Sequence, residues 1–329
     1  MNTTLFTLRS SLGLTAALIG LSTGCTVQTD ELAETDSVGE AAQAITYGGT
    51  LSLVRERKLS SLFGGVSADY EASGVQVLGS DLYVVFDDMN QIAKMPTSLA
   101  AGTATYTPGT LSSSSEQYEG ITLDTNGTQH FYVSQEVSPG KIVQLDGAGS
   151  AQGEEYQSTG VSFSDSNKGF EGIAWVRRSN DDYLLALCEA GNCGDTTGTS
   201  IPGTIKVLRQ TGSSWTVDTT ISLCGNTSCT QGIFSDYSDI ALFPLADGSY
   251  KVAITSQESR QLWIGNLSAT TWTFTSSGTV YDYPSSGYCN VEGVTFLTAT
   301  RLALASDQYT GSEPGCNDKD ESMHIVDIP

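Results

Sequence analysis

The chain has 329 residues, with 15 lysines and arginines against 37 aspartates and glutamates and a formal charge of −22 at pH 7. A surface of that sign repels nucleic acid and anionic membranes and attracts cations, which excludes nucleic-acid partners and leaves cation binding open beside plain solubility. The length suits one large all-β repeat domain or two ordinary ones.

Residues 1–24 read as an export signal, with Arg9 as the positive charge and Leu12 to Leu21 as an apolar run short for a membrane span. The run ends in Leu21-Ser22-Thr23-Gly24-Cys25, which resembles a bacterial lipobox, whose cysteine is lipidated and becomes the mature first residue. Ser22 stands where a lipobox usually carries leucine, so an ordinary secretory signal is the alternative. Residues 25–44 carry Asp30, Glu31, Glu34, Asp36 and Glu40 and no basic residue, the composition of a disordered tether. Thr26 after a lipidated Cys25 implies an outer-membrane lipoprotein, expected to be a monomer that touches the bilayer only through its lipid.

From residue 45 to 329 short runs rich in Val, Ile, Thr, Tyr and Leu alternate with Gly, Ser, Asn and Asp clusters, the all-β signature. One unit recurs. Tyr118-Glu119-Gly120-Ile121, Phe170-Glu171-Gly172-Ile173 and Val291-Glu292-Gly293-Val294 each open a strand that is followed by a second strand ending near an acid. Looser copies begin at Ser73-Gly74-Val75 and Ser238-Asp239-Ile240. Repeats of this length point to a β-propeller blade of four strands, A to D. The spacing predicts Gly74–Leu78, Asp81–Phe86, Gln91–Met95 and Thr105–Leu111, then Gly120–Leu123, Phe131–Ser134, Lys141–Leu145 and Glu155–Val161. The third unit is Gly172–Val176, Tyr183–Leu187, Thr204–Leu208 and Trp215–Leu223, and the fourth Asp239–Phe243, Tyr250–Thr255, Gln261–Leu267 and Trp272–Tyr281. The fifth has only Gly293–Leu297, Arg301–Ala305 and Met323–Ile328, so the run from Thr50 to Leu59 is expected to supply its missing strand and close the ring, sealing two edges. Five four-stranded blades are favoured, with six the alternative if the third or fourth unit hides a sheet.

In a blade, A descends from the top face along the central channel and B returns beside it. The acids that open A (Glu119, Glu171, Asp239, Glu292) and those that close B (Asp87 or Asp88, Glu136, Glu189, Glu258, Asp307) therefore meet at one mouth. Crowded carboxylates hold protons with raised pKa or gather a cation. Hard oxygen donors make calcium the expected ion, with Glu119, Glu171, Asp239 and Glu292 as ligands. The alternative is that each acid accepts backbone N–H groups and fixes its turn, with the glycine needed for close approach. The B-strand acids, with Lys141 and Arg260, are the candidate ligand-binding residues of the rim, and Lys168 is a further cation nearby. Tyr118, Phe170 and Tyr237 either stack on a ligand or pack between blades. The acidic run Gln308 to Ser322 is either a second cation loop or a solvated one.

Setting Cys25 aside, six of the seven cysteines remain, an even number in an oxidising compartment. Proximity favours Cys188 with Cys193, Cys224 with Cys229, and Cys289 with Cys316, all on the top face. Too few histidines are present for a zinc site of familiar spacing.

The Glu-Gly-Ile/Val-Ala/Thr motif followed by a strand ending in Ser-x-Glu/Asp resembles the exported propellers of the SdiA-regulated family and the related esterase-like phytase family, over Ser73 to Asp307. The resemblance implies the propeller fold, a central calcium and phosphate-ester hydrolysis. Two departures stand out: Ile240 follows Asp239 where glycine belongs, and the first copy lacks the acid of strand A. Two functions remain in view, a module that binds a ligand or an envelope protein and a calcium-dependent phosphoesterase. No Gly-x-Ser-x-Gly elbow occurs, and neither His130 nor His324 lies next to a plausible nucleophile in sequence, which argues against a serine hydrolase.

Overall fold

A computed structural model describes residues 45–109, 111, 117–125, 129–147, 155–163, 169–188, 193, 203–224 and 232–329. The export signal, Cys25, the tether, Lys168, Glu189 and Cys229 lie outside the described residues.

Strands β1 (Thr46–Thr50) and β2 (Ser52–Lys58) precede a single helical turn, α1 (Leu59–Leu62). Blade one is β3 (Ala72–Leu78), β4 (Asp81–Phe86), β5 (Ala93–Pro96) and β6 (Thr105–Tyr106). Blade two is β7 (Tyr118–Leu123), β8 (Phe131–Gln135), β9 (Lys141–Leu145) and β10 (Glu155–Ser158). Blade three is β11 (Phe170–Arg178), β12 (Asp181–Cys188), β13 (Thr204–Thr211) and β14 (Ser214–Ser222). Blade four is β15 (Ile240–Pro244), β16 (Tyr250–Ser256), β17 (Gln261–Leu267) and β18 (Thr279–Asp282), and blade five contains β19 (Val291–Thr298), β20 (Arg301–Ser306) and β21 (Ser322–Asp327). The innermost strands touch in the closed cycle β3, β7, β11, β15, β19 and back to β3, which makes a ring of five blades.

The last sheet has the order β19-β20-β21-β2, so the amino-terminal strand closes the ring as the outer strand of blade five. Its partner is β21, with Glu56 opposite His324 and Lys58 opposite Ser322. The five-blade expectation and the closing strand both stand, and no sixth sheet is formed among the described residues.

Two outer features differ from expectation. β1 adds to the edge of blade four, parallel to β18, and makes that sheet five-stranded. Trp272 does not belong to the fourth outer strand, which begins only at Thr279. The Arg178 guanidinium of blade three lies 3.7 Å from the Trp272 ring centre and donates to the Thr271 carbonyl, drawing this segment across to the neighbouring blade.

The core is divided among the interfaces between blades. Side chains on a strand point alternately to its two faces, and both faces of each B strand are covered. In β12, Tyr183, Leu185 and Leu187 face blade four, while Leu184, Ala186 and Cys188 face blade two. In β4, Leu82, Val84 and Phe86 pack toward blade five, and Tyr83 and Val85 toward blade two. This explains why these strands read as unbroken apolar runs.

Candidate functional site

The Glu-Gly motif marks a β-bulge. Opposite β12, Phe170 pairs with Cys188 and Gly172 with Leu187, so Glu171 is the extra residue; Glu292 occupies the same place in blade five. In blade two the register also shifts between Tyr118 and Ile121, across Glu119 and Gly120. In blade one the extra residue is Ser73. A bulge twists its strand and re-aims the side chain it carries.

The glycine that follows lets neighbouring inner strands touch. A Cβ on Gly74 would stand 2.3 Å from the Glu119 carbonyl oxygen, one on Gly120 2.6 Å from the Ile173 nitrogen, and one on Gly172 2.6 Å from the Asp239 Cα. Gly293 completes the circuit, with its Cβ position 3.1 Å from the Val75 nitrogen. Blade four alone has Ile240 here, and it uses a different device. Asp239 accepts the Ile240 N–H through Oδ1 and the Val294 N–H through Oδ2, each at 2.8 Å, so its carboxylate ties blade four to blade five. Asp239 is only 1 % exposed, and burial holds its carboxyl well above the usual range against those two hydrogen bonds. Both of its oxygens serve the backbone, the turn-fixing role.

The other acids converge. Glu119 is buried, and burial first, then Glu171, Asp87, Glu136 and Asp307, push its carboxyl well above the usual range. Glu292 is raised in the same way by burial, then by Asp307, Glu119, Asp87 and Asp236. Asp307 is pushed up to about 7, chiefly by burial, with Glu71 and Asp87 adding to it against hydrogen bonds from Gln308 and Asn290. No lysine or arginine is among the principal influences on these groups. Their mutual influence joins carboxyl groups from all five blades at one mouth.

Sequence reasoning missed two members. Glu71, two residues ahead of the bulge residue Ser73, supplies the acid that the first copy lacks at its bulge. Its carboxyl is pushed up to about 7 by burial and then by Asp88, Asp87 and Asp69. Glu71, Asp87 and Asp88 place carboxylate oxygens within 4.8 Å of one another. The only signal was Tyr70-Glu71, which resembles Tyr118-Glu119 but is displaced. Asp236 is the second: it accepts the Ser256 hydroxyl and the N–H groups of Gln257 (2.9 Å) and Glu258 (3.1 Å), capping the turn after β16. Glu258 itself is exposed and accepts the Ser235 hydroxyl at 3.0 Å.

The rim cations are engaged elsewhere. Arg260 grips Glu313 with both terminal nitrogens, and Lys141 lies 5.9 Å from the centre of the Tyr156 ring. Tyr118, Phe170 and Tyr237 are buried in the interfaces between blades. The loop from Gln308 to Glu321 is pinned by the Cys289–Cys316 disulfide, by Arg260 with Glu313, by Lys319 with Glu56 and by Lys58 with Asp320. With Glu313 and Asp320 paired, that loop is a strapped surface loop. Cys188 bonds to Cys193 as expected, and Cys224 is also disulfide-bonded.

One serine–histidine contact that the sequence does not show forms across strands. His324 Nε2 lies 2.9 Å from Ser306 Oγ, and its Nδ1 3.6 Å from a Glu56 carboxylate oxygen. The nucleophile-like contact was hidden because it forms across neighbouring strands. Ser306 is 1 % exposed and His324 0 %, so no substrate reaches the hydroxyl and the arrangement is structural as it stands. A cavity of about 280 Å³ lies near the β3–β4 and β19–β20 hairpin turns, at the opposite end of the blades from the mouth.

No family model and no curated protein matches this chain. Among solved structures it is similar to an exo-β-1,3-galactanase from Phanerochaete chrysosporium (10 % identity over 83 % of this chain and 64 % of that one, TM-score 0.49). It is also similar to the glutaminyl cyclase of Myxococcus xanthus (10 % identity, 86 % and 99 % covered, TM-score 0.48) and to the aldose sugar dehydrogenase of Streptomyces coelicolor (14 %, 84 % and 98 %, TM-score 0.44). At these identities and scores none of them assigns an activity to this chain. The class of protein is given by its own strands, a five-bladed β-propeller with an acidic mouth.

Proposed function

We propose that the mouth is a divalent-cation centre and that the protein is an exported binding module, anchored through Cys25 in the outer membrane, which meets its ligand or envelope partner through that cation. The observation that carries the reading is the convergence of Glu119, Glu171, Glu292, Glu71, Asp87 and Asp307 on one mouth, with no lysine or arginine among the principal influences on Glu119, Glu292, Glu71 or Asp307. Such a group is stable only with bound protons or a bound cation, and carboxylate oxygens suit calcium. Glu119, Glu171 and Glu292 are the proposed ligands, and Asp87, Glu136 and Asp307 form the rim that a ligand touches. Asp239 drops out of the ligand set because both its oxygens accept backbone N–H groups.

The geometry favours binding over phosphate-ester hydrolysis. Phosphate recognition normally draws on a lysine or arginine near the metal, and of the candidate cations among the described residues Arg260 is paired with Glu313 and Lys141 lies over Tyr156. The test is calcium titration of the purified protein with a parallel assay on phosphate monoesters. Saturable calcium binding without turnover supports the binding module. Turnover that requires calcium and is lost in Glu171→Gln, with folding intact, replaces it by the enzyme.

A further inference from the structure

The strand that closes the ring is held unlike the others. β2 comes from the start of the domain and joins three strands from its end, so blade five reaches its four strands only through a seam between distant parts of the chain, whereas β1 adds a fifth strand to a blade four that already has its own four. The first part of β2 contributes little burial, with Leu53 41 % and Val54 44 % exposed. Its second part is the better covered, and there the side chains are charged. Lys58 Nζ donates to the carbonyls of Asn317 (2.9 Å) and Asp320 (2.8 Å) and pairs with the Asp320 carboxylate. Glu56 pairs with Lys319, accepts the Tyr288 hydroxyl at 3.3 Å and faces the His324 imidazole.

We propose that Glu56, Lys319 and His324 form an acid-released latch on the ring-closing strand, so that protonation of the buried imidazole frees β2 from β21 while the other blades hold. His324 sits on β21 with its ring 4.7 Å from the Tyr288 ring, fully enclosed. In the neutral tautomer that lets Nε2 accept from the Ser306 hydroxyl, the proton sits on Nδ1, 3.6 Å from a Glu56 carboxylate oxygen and beyond hydrogen-bond reach of it. A second proton turns Nε2 into a donor, so Ser306 must withdraw its hydrogen, and it places a charge in an enclosed site that Lys319 already makes positive. Glu56 from β2 and Lys319 from the loop are the charged groups acting on the ring, with Tyr288 and Ser306 the polar groups that touch it. Burial lowers the His324 pKa, an effect that Glu56 opposes and Lys319 adds to. A group lowered on folding binds its proton more tightly once the strand opens, so protection is lost as pH falls from the unfolded value of about 6.5 toward the folded one.

Amide hydrogen exchange of the full chain, read by mass spectrometry as protection factors at pH 7.5, 6.5, 5.5 and 4.5, tests the latch. The expected result is a fall in protection across β2 and β21 that begins near pH 6.5 and approaches about tenfold per pH unit, while β12 and β13 of blade three stay level. His324→Gln keeps a polar contact for Ser306 without titrating, and it should flatten the profile. Glu56→Gln removes the anion facing the ring, lowers its folded pKa further and should extend the loss to lower pH. Equal pH dependence in β2 and blade three of the wild type overturns the latch, a reading that needs no variant to fold. An unchanged profile in His324→Gln overturns it too.

Discussion

The mouth and the closing seam both gather carboxylates, and they treat them in opposite ways. At the mouth Glu119, Glu292, Glu71 and Asp307 are raised by burial and by one another. At the seam Glu56 is lowered to about 2 by His324 and Lys319. The difference is the presence of a base. The seam sets the Lys319 ammonium and the neutral His324 imidazole against Glu56, whereas the principal influences that raise Glu119, Glu292, Glu71 and Asp307 at the mouth are burial and other carboxyl groups. A ring assembled by close glycine contacts can hold several acids at one point, because the inner strands and not the carboxylates set their separation.

The largest expected effect separates Asp239 from the other A-strand acids. Asp239→Ala leaves the buried Ile240 and Val294 N–H groups without acceptors and should destabilise the protein by about 3 kcal/mol, read from the denaturant midpoint. Calcium affinity should survive that change as far as the fold does. Next comes the cation itself. Calcium at a hundred times its dissociation constant should add about 2.7 kcal/mol to unfolding, and Glu119→Gln should abolish most of that gain while stabilising the calcium-free protein. A stability loss in calcium-free Glu119→Gln contradicts the crowding at the mouth.

Glu56→Ala should act in the reverse sense, lowering stability at pH 7 by about 1–2 kcal/mol after allowance for the part of the side chain that water screens. Calcium should not change that loss. The smallest effect is the contrast in pH dependence. Glu71 and Asp307, raised on folding to about 7, contribute stability that is full below their unfolded values and lost as pH rises toward 7. Glu56, lowered on folding, contributes stability that is lost as pH falls from about 4.5 toward 2. Calcium-free protein should therefore be weaker at pH 7.5 than the mouth allows at pH 5, and calcium should erase that part of the profile. Unfolding midpoints at the two pH values, with and without calcium, check it.

Much of the ring could be read from the chain because the Glu-Gly bulge imposes a fixed spacing between itself and the following B strand. Glu119, Glu171 and Glu292 were found that way. The five-blade count and the role of β2 followed from the missing strand after Ser322–Asp327. β1 was not legible, since Thr46–Thr50 is short, contains two glycines and pairs in parallel at an outer edge. Trp272 was read as strand because the sequence does not show that Arg178, far away in the chain, captures it. Glu71 and Asp236 escaped notice because their carboxylates reach the mouth from turns ahead of the motif. The Ser306–His324 contact exists only because β20 and β21 pair. For Asp239 the sequence left ligand and turn-fixing roles both open, and its two backbone hydrogen bonds match the turn-fixing one.

Calorimetric titration of calcium into the metal-stripped, full-length protein tests the central claim most directly. A saturable heat that is lost in Glu119→Gln and kept in Glu56→Gln is the predicted result. No heat in the wild type, together with an unfolding midpoint that calcium and chelator leave the same, contradicts a cation centre at the mouth.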